Sequence, residues 1–396
     1  MINDIGDLLT NLLFATKKII PVAIKQSIKD TIYALISIPK TKIYVFRLNK
    51  IISDHKKVKG YIIYPPTLDW DYMFQRPQQL ARQFAKNGYL FFFCNKSYKS
   101  RGFKEVEPNI VTCGADTRKS LSAINDVIVY ISWAGHINFF RKLKYTKLIY
   151  DYLDSLKVAD SKGKGLFKKH IRLVANADLV LVTSDILHKK LLLEGRIKKT
   201  ILVPNACDFK HFNIKKTINK NFEDINLIVN KNKPIIGYSG AFAEWFDYSL
   251  IKYCIKKRPN YEFVLLGATI GSSFHRSILD FPNVNYLGEK RYKVLPYYIS
   301  CFDVAILPFK INDITRSTSP VKIFEYMASG KPVISTNLPE CKKYKIILVS
   351  RGKKDFVNNI DRGLGLSRNK NYILKTQMLA KRNTWDKRFN LISKYL

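Results

Sequence analysis

Short, wholly apolar runs alternate with amphipathic stretches through most of the chain. The runs GYIIYPP, YLFFFCN and ADLVLVTS have the length of buried strands, and QRPQQLARQFAKNG between the first two has helical periodicity that ends at Gly88. Strands that are buried on both faces and alternate with helices are typical of parallel sheets. We therefore predict an α/β protein.

The same alternation begins again after a polar stretch at residues 213–233. PIIGYSG is interpreted as a strand that runs into a glycine turn, FDYSLIKYCIKKRP as a helix, and EFVLLG and DVAILPF as strands. Two such blocks predict two Rossmann-like domains with parallel sheets that face each other across a cleft, where ligands bind beyond the carboxyl ends of the strands. The predicted boundaries are an extension at 1–57, a first domain at 58–212, a second domain at 213–380 and a C-terminal helix at 381–396.

The extension carries a basic amphipathic pattern. Apolar residues recur in it at helical spacing, at Ile20, Ile24, Ile28, Ile32 and Leu35. Such a helix is suited to an anionic membrane surface, and a helix packed against the protein's own body would show the same pattern. Both interpretations remain open.

The charge of the chain narrows the possible partners. Its 396 residues carry a net charge of +37, which predicts either a polyanionic partner or a lysine-rich solvated surface. Nucleic acid is disfavoured, because no helix-turn-helix, zinc-finger or RNP signature occurs and the basic residues are spread along the α/β pattern. An anionic membrane surface fits better.

Other bulk features favour a cytoplasmic protein. No apolar run approaches the roughly 18 to 20 residues that span a bilayer, and the start of the chain lacks the pattern of a signal peptide. The six cysteines are scattered without a C-x-x-C pair, which indicates reduced thiols and neither a disulfide nor a metal site. We expect a cytoplasmic protein that lies on the inner face of the cytoplasmic membrane.

The most informative stretch is TRSTSPVKIFEYMASGKPVIST, residues 315–336. Ser319 fits the N-cap of a helix and Pro320 its first position. Gly330 fits the left-handed residue after the last turn, and KPVIST is typical of a buried strand. The prediction is a capped helix that ends at a glycine and leads into the sheet.

The start of this helix has the features of an anion site. Its free backbone N–H groups attract negative charge, and a cation and three hydroxyls stand beside it: Arg316, Ser317, Thr318 and Ser319. Lys322 and Glu325 are three residues apart and share one helix face. The cation suits a diphosphate and the carboxylate suits a ribose diol, whereas the plainer interpretation is an exposed ion pair. The segment is therefore predicted to hold a nucleotide diphosphate.

Two further candidates lie near the start of the second block. Gly240, together with Gly237, could let the backbone approach a phosphate closely, or both could belong to an ordinary tight turn. Asp247 in EWFDYSL could face the cleft or cap the helix that follows.

In the first domain the candidates follow the predicted strands. Asp151 and Asp154 come at the carboxyl end of KLIYDYLD, so either could accept the proton of an acceptor hydroxyl, or serve in a turn or cap. Arg76 stands at a helix start and suits an anionic acceptor or the diphosphate. Trp70 and Tyr72 could stack on a sugar ring or simply pack.

Seven segments in this order carry a family resemblance. They are WDYMFQRPQQLARQFAKNGY, YDYLDS, ADLVLVTSDIL, ILVPNACDFKHF, GYSGAFAEWFDYSLI, NVNYLGEKRYKVLPYYISCFDVAILPF and SPVKIFEYMASGKPVIS, and they cover residues from about 58 to 340. The chain resembles the GT-B glycosyltransferases, specifically the retaining family-4-like group (glycosyl transferases group 1). Within it, the resemblance is to surface-polysaccharide and teichuronic-acid transferases of the TuaH type.

The resemblance implies a nucleotide-diphosphate sugar as donor in the second domain, a lipid-linked surface polysaccharide as acceptor in the first, and transfer without a metal or other cofactor. Glu325 resembles the carboxylate that binds the donor ribose. His136 in SWAGH resembles a histidine that related enzymes place near the donor, or is a solvated residue at a helix start. The helix at 381–396 resembles the element that crosses back to the first domain. Many relatives carry a glutamate where Ser317 stands, so that glutamate's role is not carried over.

Two alternatives follow from the same residues. A sugar-nucleotide epimerase of the same fold would need no acceptor. A catalytically silent subunit that binds polysaccharide or membrane is the second alternative, because Ser317 lacks the charge that relatives place in the reaction centre.

Overall fold

The computed structural model describes residues 41–156, 165–193, 199–215, 221–270 and 276–396. The predicted amphipathic stretch at residues 20–35 lies outside this part of the chain. Residues 41–54 of the predicted extension form a helix, α1, that packs against the first sheet through the buried Leu48. In the part that the structure describes, every helix is too short or too polar to cross a bilayer.

The first domain is built on an eight-stranded sheet in the order β3-β4-β2-β1-β5-β6-β7-β8. All neighbouring strands pair in parallel except β3 and β4, which form an antiparallel edge. The strands are β1 (Gly60–Tyr64), β2 (Tyr89–Cys94), β3 (Phe103–Glu107), β4 (Ile110–Cys113), β5 (Val127–Ile131), β6 (Tyr145–Tyr152), β7 (Leu179–Val182) and β8 (Thr200–Leu202). The helices that cover this sheet are α2 (Arg76–Lys86), α3 (Leu166–Asn176) and α4 (Asp185–Leu193), and the short α5 (Phe209–Phe212) follows.

The second domain is built on a six-stranded parallel sheet in the order β11-β10-β9-β12-β13-β14, the order of a doubly wound Rossmann sheet. Its strands are β9 (Ile235–Ser239), β10 (Glu262–Leu266), β11 (Val284–Gly288), β12 (Val304–Leu307), β13 (Val333–Thr336) and β14 (Leu348–Ser350). Its helices are α6 (Glu223–Val229), α7 (Tyr248–Lys257), α8 (Leu295–Ser300), α9 (Asp313–Ser317), α10 (Val321–Ala328), α11 (Pro339–Lys342), α12 (Lys353–Leu366) and α13 (Lys370–Lys381). The predicted α/β class and the two parallel sheets are confirmed.

The central strands are buried on both faces, which explains why their sequences are continuously apolar. In β2, every residue from Leu90 to Cys94 has no exposed surface, and β1 pairs with β2 on one side and β5 on the other. Helices cover both faces of such a sheet, so ligands reach it only at the carboxyl ends of the strands.

The chain crosses back to the first domain in its last helix, α14 (Trp385–Ile392). Its residues Trp385 and Phe389 belong to a core cluster of the first domain, and the rings of Phe389 and Phe84 meet edge to face at 5.1 Å. The segment that leaves the first domain contacts the segment that returns to it: the backbone N–H of Cys207 donates to the carbonyl of Asn383 at 3.1 Å.

Candidate active site

A cleft of about 800 Å³ lies between the carboxyl ends of the two sheets. The first domain lines it with the loop 67–77 after β1, with residues 132–134 after β5, and with Asp154. The second domain lines it with the glycine turn after β9 and the start of α10. The cleft therefore occupies the position where doubly wound sheets bind ligands.

Helix α10 begins one residue later than predicted, and Ser319 does not cap it. Pro320 takes the N-cap position, and no side chain bonds to the first turn. The Ser319 hydroxyl instead accepts a hydrogen bond from the backbone N–H of Asn205 at 3.2 Å, and the Ser319 carbonyl accepts from the Asn205 side-chain amide at 2.6 Å. The polar groups of Ser319 thus join the two domains. The predicted helix end at Gly330 is confirmed, with φ at +69°.

The other residues before α10 contribute unequally to the cleft. Ser317 is buried and its hydroxyl bonds to the carbonyls of Asp313 and Ile314, so it is turned away from the cleft. Arg316 is exposed and does not line the cleft. Thr318 does line the cleft, and its hydroxyl lies 3.2 Å from Asp154 across the domain boundary. The structure therefore brings Thr318, but not Ser317 or Arg316, to the predicted anion site.

Lys322 and Glu325 form an ion pair of 2.7 Å on the face of α10. The Lys322 side chain lines the cleft and is 25% exposed, while the Glu325 side chain is only 5% exposed and does not itself line the cleft. The plainer interpretation, an exposed pair, is wrong, because the carboxylate is buried. A lysine on a flexible stem above a buried carboxylate can exchange this partner for a phosphate without leaving the cleft wall.

Close contact of two backbones fixes the glycine turn after β9. A side chain on Gly267, which has φ of +143°, would meet the carbonyl oxygen of Gly240 at 1.8 Å. The Gly240 N–H donates to Leu266 at 2.9 Å. From α10, the Tyr326 hydroxyl accepts from the Ser239 N–H at 2.7 Å. The turn is thus held rigidly beside the cleft, where only glycine fits.

Two candidates of the second domain have structural duties. Gly237 lies within β9, where a side chain would collide with the ring of Phe302 at 2.1 Å, so it is not part of the turn. Asp247 caps α7 by accepting from the N–H of Leu250 at 2.9 Å, and it does not line the cleft. Of the two alternatives for Asp247, the structure favours the cap.

Arg76 and Asp151 form a buried pair beneath the cleft. The guanidinium donates to both carboxylate oxygens, from Nε at 2.7 Å and from Nη2 at 2.9 Å, and Tyr130 donates to the same carboxylate. Burial and the Asp151 charge hold the pKa of Tyr130 well above its ordinary value. Asp151 has no exposed surface and does not line the cleft, so the prediction that it could face an acceptor is wrong.

The remaining donors of Arg76 are also occupied. Its Nη1 donates to the carbonyl of Val203 at 2.9 Å and to the side-chain oxygen of Asn205 at 3.2 Å. Since Asn205 receives this bond at its oxygen, its NH₂ group faces Ser319 of the second domain. Arg76 lines the cleft, but only 2% of the residue is exposed and its Nε, Nη1 and Nη2 atoms all donate to protein groups, so the structure favours a role in orienting Asn205.

Asp154 is the predicted base that the structure leaves open to the cleft. Desolvation of its carboxylate raises the pKa of Asp154, while the hydrogen bond from Thr318 acts in the opposite direction. A carboxylate with a raised pKa that contacts the donor domain is suited to accept a proton.

Aromatic side chains of the first domain differ sharply in exposure. Trp70 is 5% exposed and packs edge to face on Phe74 and Phe93, so it is a core residue and not a stacking platform. Tyr72 lines the cleft and is 47% exposed. Trp133, which the sequence did not single out, also lines the cleft and is 38% exposed. The two open aromatic surfaces are therefore Tyr72 and Trp133.

His136 lies in a short 3-10 turn, two residues after Ala134, and does not line the cleft. Burial lowers its pKa, and the positive charges of Arg118 and Lys96 lower it further. The prediction that His136 lies near the donor gains no support from this position.

The loop after β11 supplies residues that sequence reasoning missed. Lys290, Arg291 and Tyr292 line the cleft. Lys290 is paired with Asp224 at 2.7 Å, whereas the exposed Arg291 side chain has no hydrogen bond or ion pair within the described residues. Tyr292 stacks on Phe74 at 4.7 Å across the domain boundary. The signal was present in GEKRYK, a run of charges after a predicted strand.

Comparisons with known proteins agree with this architecture. Residues 233–364 match the family of glycosyl transferases group 1. Over 248 residues, 60% of this chain, the sequence is 28% identical to a protein of Bacillus subtilis (strain 168) named as the teichuronic acid biosynthesis glycosyltransferase TuaH. That match spans 61% of the relative's length, which is less than two thirds of it.

Solved structures show the same fold at low sequence identity. Sucrose-phosphate synthase (tll1590) from Thermosynechococcus elongatus superposes with a TM-score of 0.65 at 15% identity, over 85% of this chain and 98% of that one. Anabaena Alr3699/HepE, solved in complex with UDP-glucose, gives 0.62 at 13% identity over 85% and 100%. Trehalose 6-phosphate synthase from Burkholderia multivorans gives 0.64 at 9% identity over 85% and 98%.

Two parallel sheets that face each other across a cleft, with a last helix that returns to the first domain, form the GT-B fold. The family match of residues 233–364 lies in its second domain. The resemblance read from the sequence is confirmed at this level.

Proposed function

We propose that this protein transfers a sugar from a nucleotide-diphosphate sugar to a lipid-linked cell-surface polysaccharide, with retention of configuration and without a metal or other cofactor. The name of the Bacillus subtilis relative supports an envelope polysaccharide as product. The UDP and UDP-glucose complexes of the Anabaena neighbour support a nucleotide-sugar donor.

The observation that carries the proposal is the second-domain wall of the cleft. It combines a glycine turn that a ligand's phosphates can approach, the Lys322 ammonium, and the Arg291 guanidinium, which has no partner in the part of the chain that the structure describes. Departure of a nucleoside diphosphate leaves negative charge on its terminal phosphate, and fixed cations that stabilise this charge lower the barrier. Lys322 and Arg291 are the groups that we assign to this task, with the Gly240 backbone and Thr318 beside them.

We assign Glu325 to binding of the donor ribose. Its Oε2 atom accepts from Lys322, and no hydrogen bond is recorded for its Oε1 atom within the described residues. When Lys322 turns to the diphosphate, both carboxylate oxygens become acceptors for ribose hydroxyls. The same exchange would couple donor binding to release of the ion pair.

Asp154 is assigned to the acceptor side. Its carboxylate lies on the first-domain wall and contacts Thr318, so a sugar hydroxyl that enters along this wall would meet it where the two domains touch. The hydroxyl would give its proton to Asp154 as its oxygen forms the new glycosidic bond.

A binding panel tests the proposal. Each nucleotide-sugar is titrated into the protein by calorimetry, and we expect one or more to bind with a Kd below about 1 mM. Failure of every nucleoside diphosphate and nucleotide-sugar to bind would contradict the proposal and favour the silent subunit. Incubation of a bound donor alone then separates the enzyme classes, because an epimerase would form an epimer whereas a transferase would give only slow hydrolysis.

Membrane association is a separate part of the proposal. The net charge of +37 and the basic pattern before residue 41 support contact with an anionic bilayer. Because α1 packs into the first domain, the informative deletion removes residues 1–40 and spares 41–57. We expect the deletion to lower sedimentation with phosphatidylglycerol vesicles. Unchanged sedimentation would mean that the body of the protein, and not residues 1–40, contacts the membrane.

A further inference from the structure

Three basic side chains lie on the loops that follow β2, β4 and β5. They are Lys96, Arg118 and His136. The Arg118 Nη2 group donates to the backbone carbonyls of Asn95 and Lys96, and both cations lie near enough to His136 to disfavour its protonated form. The cluster lies at the carboxyl ends of parallel strands, the edge of the sheet that binds ligands.

Arg118 is the centre of this cluster and is incompletely satisfied. Its Nε atom is buried and has no hydrogen-bond partner within the described residues, and no carboxylate pairs with its guanidinium there. The guanidinium carbon lies 5.7 Å from the ring centroid of Tyr98. A half-buried guanidinium beside other basic groups gains charge-assisted hydrogen bonds when a ligand supplies an anion.

The carboxylates of the adjoining loops do not fill this role. Asp69 accepts from the N–H of Ser97 at 2.7 Å. Asp116 accepts from the N–H of Gly102 at 2.9 Å and from the hydroxyl of Tyr44 at 2.6 Å. Within the described residues, neither carboxylate forms an ion pair with Arg118.

A hydrogen bond and a packing contact connect the loops of the cluster to the wall of the cleft. The loop after β2 holds the cleft loop through the bond from the Trp70 N–H to the Asn95 side chain at 2.9 Å. On the other side, the indole of Trp133 folds over Gly135, the residue before His136: a side chain at that glycine would meet the indole nitrogen at 2.5 Å. Trp133 thus lies between the cleft and the cluster.

We propose that Arg118, Lys96 and His136 bind an anionic group of the acceptor, a phosphate or a uronate carboxylate, while the neighbouring sugar lies against Trp133. The inference rests on the proposed transfer reaction, and it specifies that the acceptor is charged. A guanidinium beside a lysine and an imidazole N–H recognises oxyanions through charge-assisted hydrogen bonds. An indole face supplies apolar contact for a sugar ring.

His136 itself reports the binding. An anion at the cluster favours the imidazolium, so the NMR signals of His136, assigned with a His136→Gln variant among the six histidines, should titrate at higher pH when the ligand is bound. The probes are sodium pyrophosphate and methyl β-D-glucuronide, with methyl β-D-glucoside as the neutral control. We expect a shift with both anions and none with the glucoside. Absence of a shift with both anions would overturn the proposal.

Matched variants identify the residues that bind. Arg118→Gln should weaken binding of the anions by about tenfold or more, the loss typical of one charge-assisted hydrogen bond. Lys96→Gln, a change at an exposed side chain, tests the same site without disturbing the fold. Lys104→Gln removes an exposed cation from β3 of the same domain and should leave binding unchanged. Equal losses in all three variants would mean that general charge attracts the anions, and would overturn the site.

Two further arms locate the source of the anion. If Arg118→Gln reduces sedimentation with phosphatidylglycerol vesicles about tenfold, the anion is a bilayer headgroup and the assignment to the acceptor is overturned; unchanged sedimentation supports the acceptor. A response of His136 in a protein that binds no nucleotide-sugar would sustain the anion site while refuting the transfer reaction, so the two failures are distinguishable.

Discussion

Two ion pairs border the cleft, one in each domain, and they differ in how far they are buried. Arg76 and Asp151 of the first domain are both buried, with side-chain exposures of 3% and 0%, and the guanidinium also donates to Val203 and Asn205. Lys322 and Glu325 of the second domain form a single contact of 2.7 Å, and the lysine reaches the cleft. The first pair is closed to ligands, whereas the second can be opened by one.

This difference separates a structural role from a binding role. A buried pair holds each charge in place because neither can be exposed to water or lose its partner without a large cost. In the second pair the freed ammonium can be hydrated, and the buried Glu325 carboxylate can stay satisfied if a ligand supplies new hydrogen-bond donors. The first pair therefore positions Asn205 and, through it, the start of α10. The second pair can meet the donor.

The largest effect is expected for Asp151→Ala. The substitution leaves the Arg76 guanidinium buried without its counter-charge, and we expect the free energy of unfolding to fall by about 3 to 5 kcal/mol. Urea denaturation followed by tryptophan fluorescence measures it. Asp154→Ala is the control, because that carboxylate is open to the cleft and its loss should cost less than about 1 kcal/mol. Similar losses in both variants would mean that the buried pair of Arg76 and Asp151 has no special structural role.

For Glu325→Gln we expect little loss of stability and a large loss of donor affinity. Lys322 can turn to water, so the protein should stay folded, while donor affinity measured by calorimetry should fall at least about tenfold, or about 1.4 kcal/mol. Lys342→Gln, which alters an exposed lysine of the same domain, is the matched control. Unchanged donor affinity would remove Glu325 from the donor site.

Asn205→Asp tests whether the closed pair acts at a distance. The new carboxylate still accepts from Arg76, but it can no longer donate to the Ser319 carbonyl at the start of α10. Loss of this bond, worth about 1 kcal/mol, should weaken donor binding about fivefold. Ser319→Ala removes only the longer contact of 3.2 Å and should have a smaller effect. If Asn205→Asp binds donor normally, the first-domain pair does not influence the second domain.

The smallest effect is expected in the pH profile of transfer. Asp154 must be ionised to accept a proton, and its raised pKa moves the acidic loss of activity to a higher pH than an ordinary carboxylate would give. The Thr318 hydrogen bond lowers that pKa, so Thr318→Val should move the acidic limb up by a few tenths of a pH unit. Asp154→Asn should remove the limb together with most of the activity. A limb that persists in Asp154→Asn belongs to another group.

The sequence predicted the central strands well because burial on both faces leaves a continuous apolar signature. The edge pair β3 and β4 was missed. β3 reads FKEVE, and its charged residues face solvent, so the segment has no apolar run to detect. The glycine stop of α10 was predictable because a left-handed residue after a helix has a strong local preference.

The roles of individual charges were less predictable. Asp151 and Asp154 are three residues apart at the end of one strand, yet the partner that removes Asp151 from the cleft, Arg76, is 75 positions away in the chain. Ser319 is of a residue type that is common at helix N-caps. Its hydroxyl instead accepts a hydrogen bond from the backbone N–H of Asn205, which is 114 positions away. Such long-range partners leave no trace in local periodicity or capping rules.

The return of α14 to the first domain also sets the order in which that domain can be completed during synthesis. Trp385, Phe389 and Ile392 fill one of its cores beside Leu80 and Phe84, yet a ribosome makes them after the whole second domain. Until then, the nascent first domain presents an open apolar surface along α2. Contacts this distant in sequence form slowly, because a long chain must first be closed into a loop. The second domain, whose core is local to its own residues, is therefore able to fold first although it is made later.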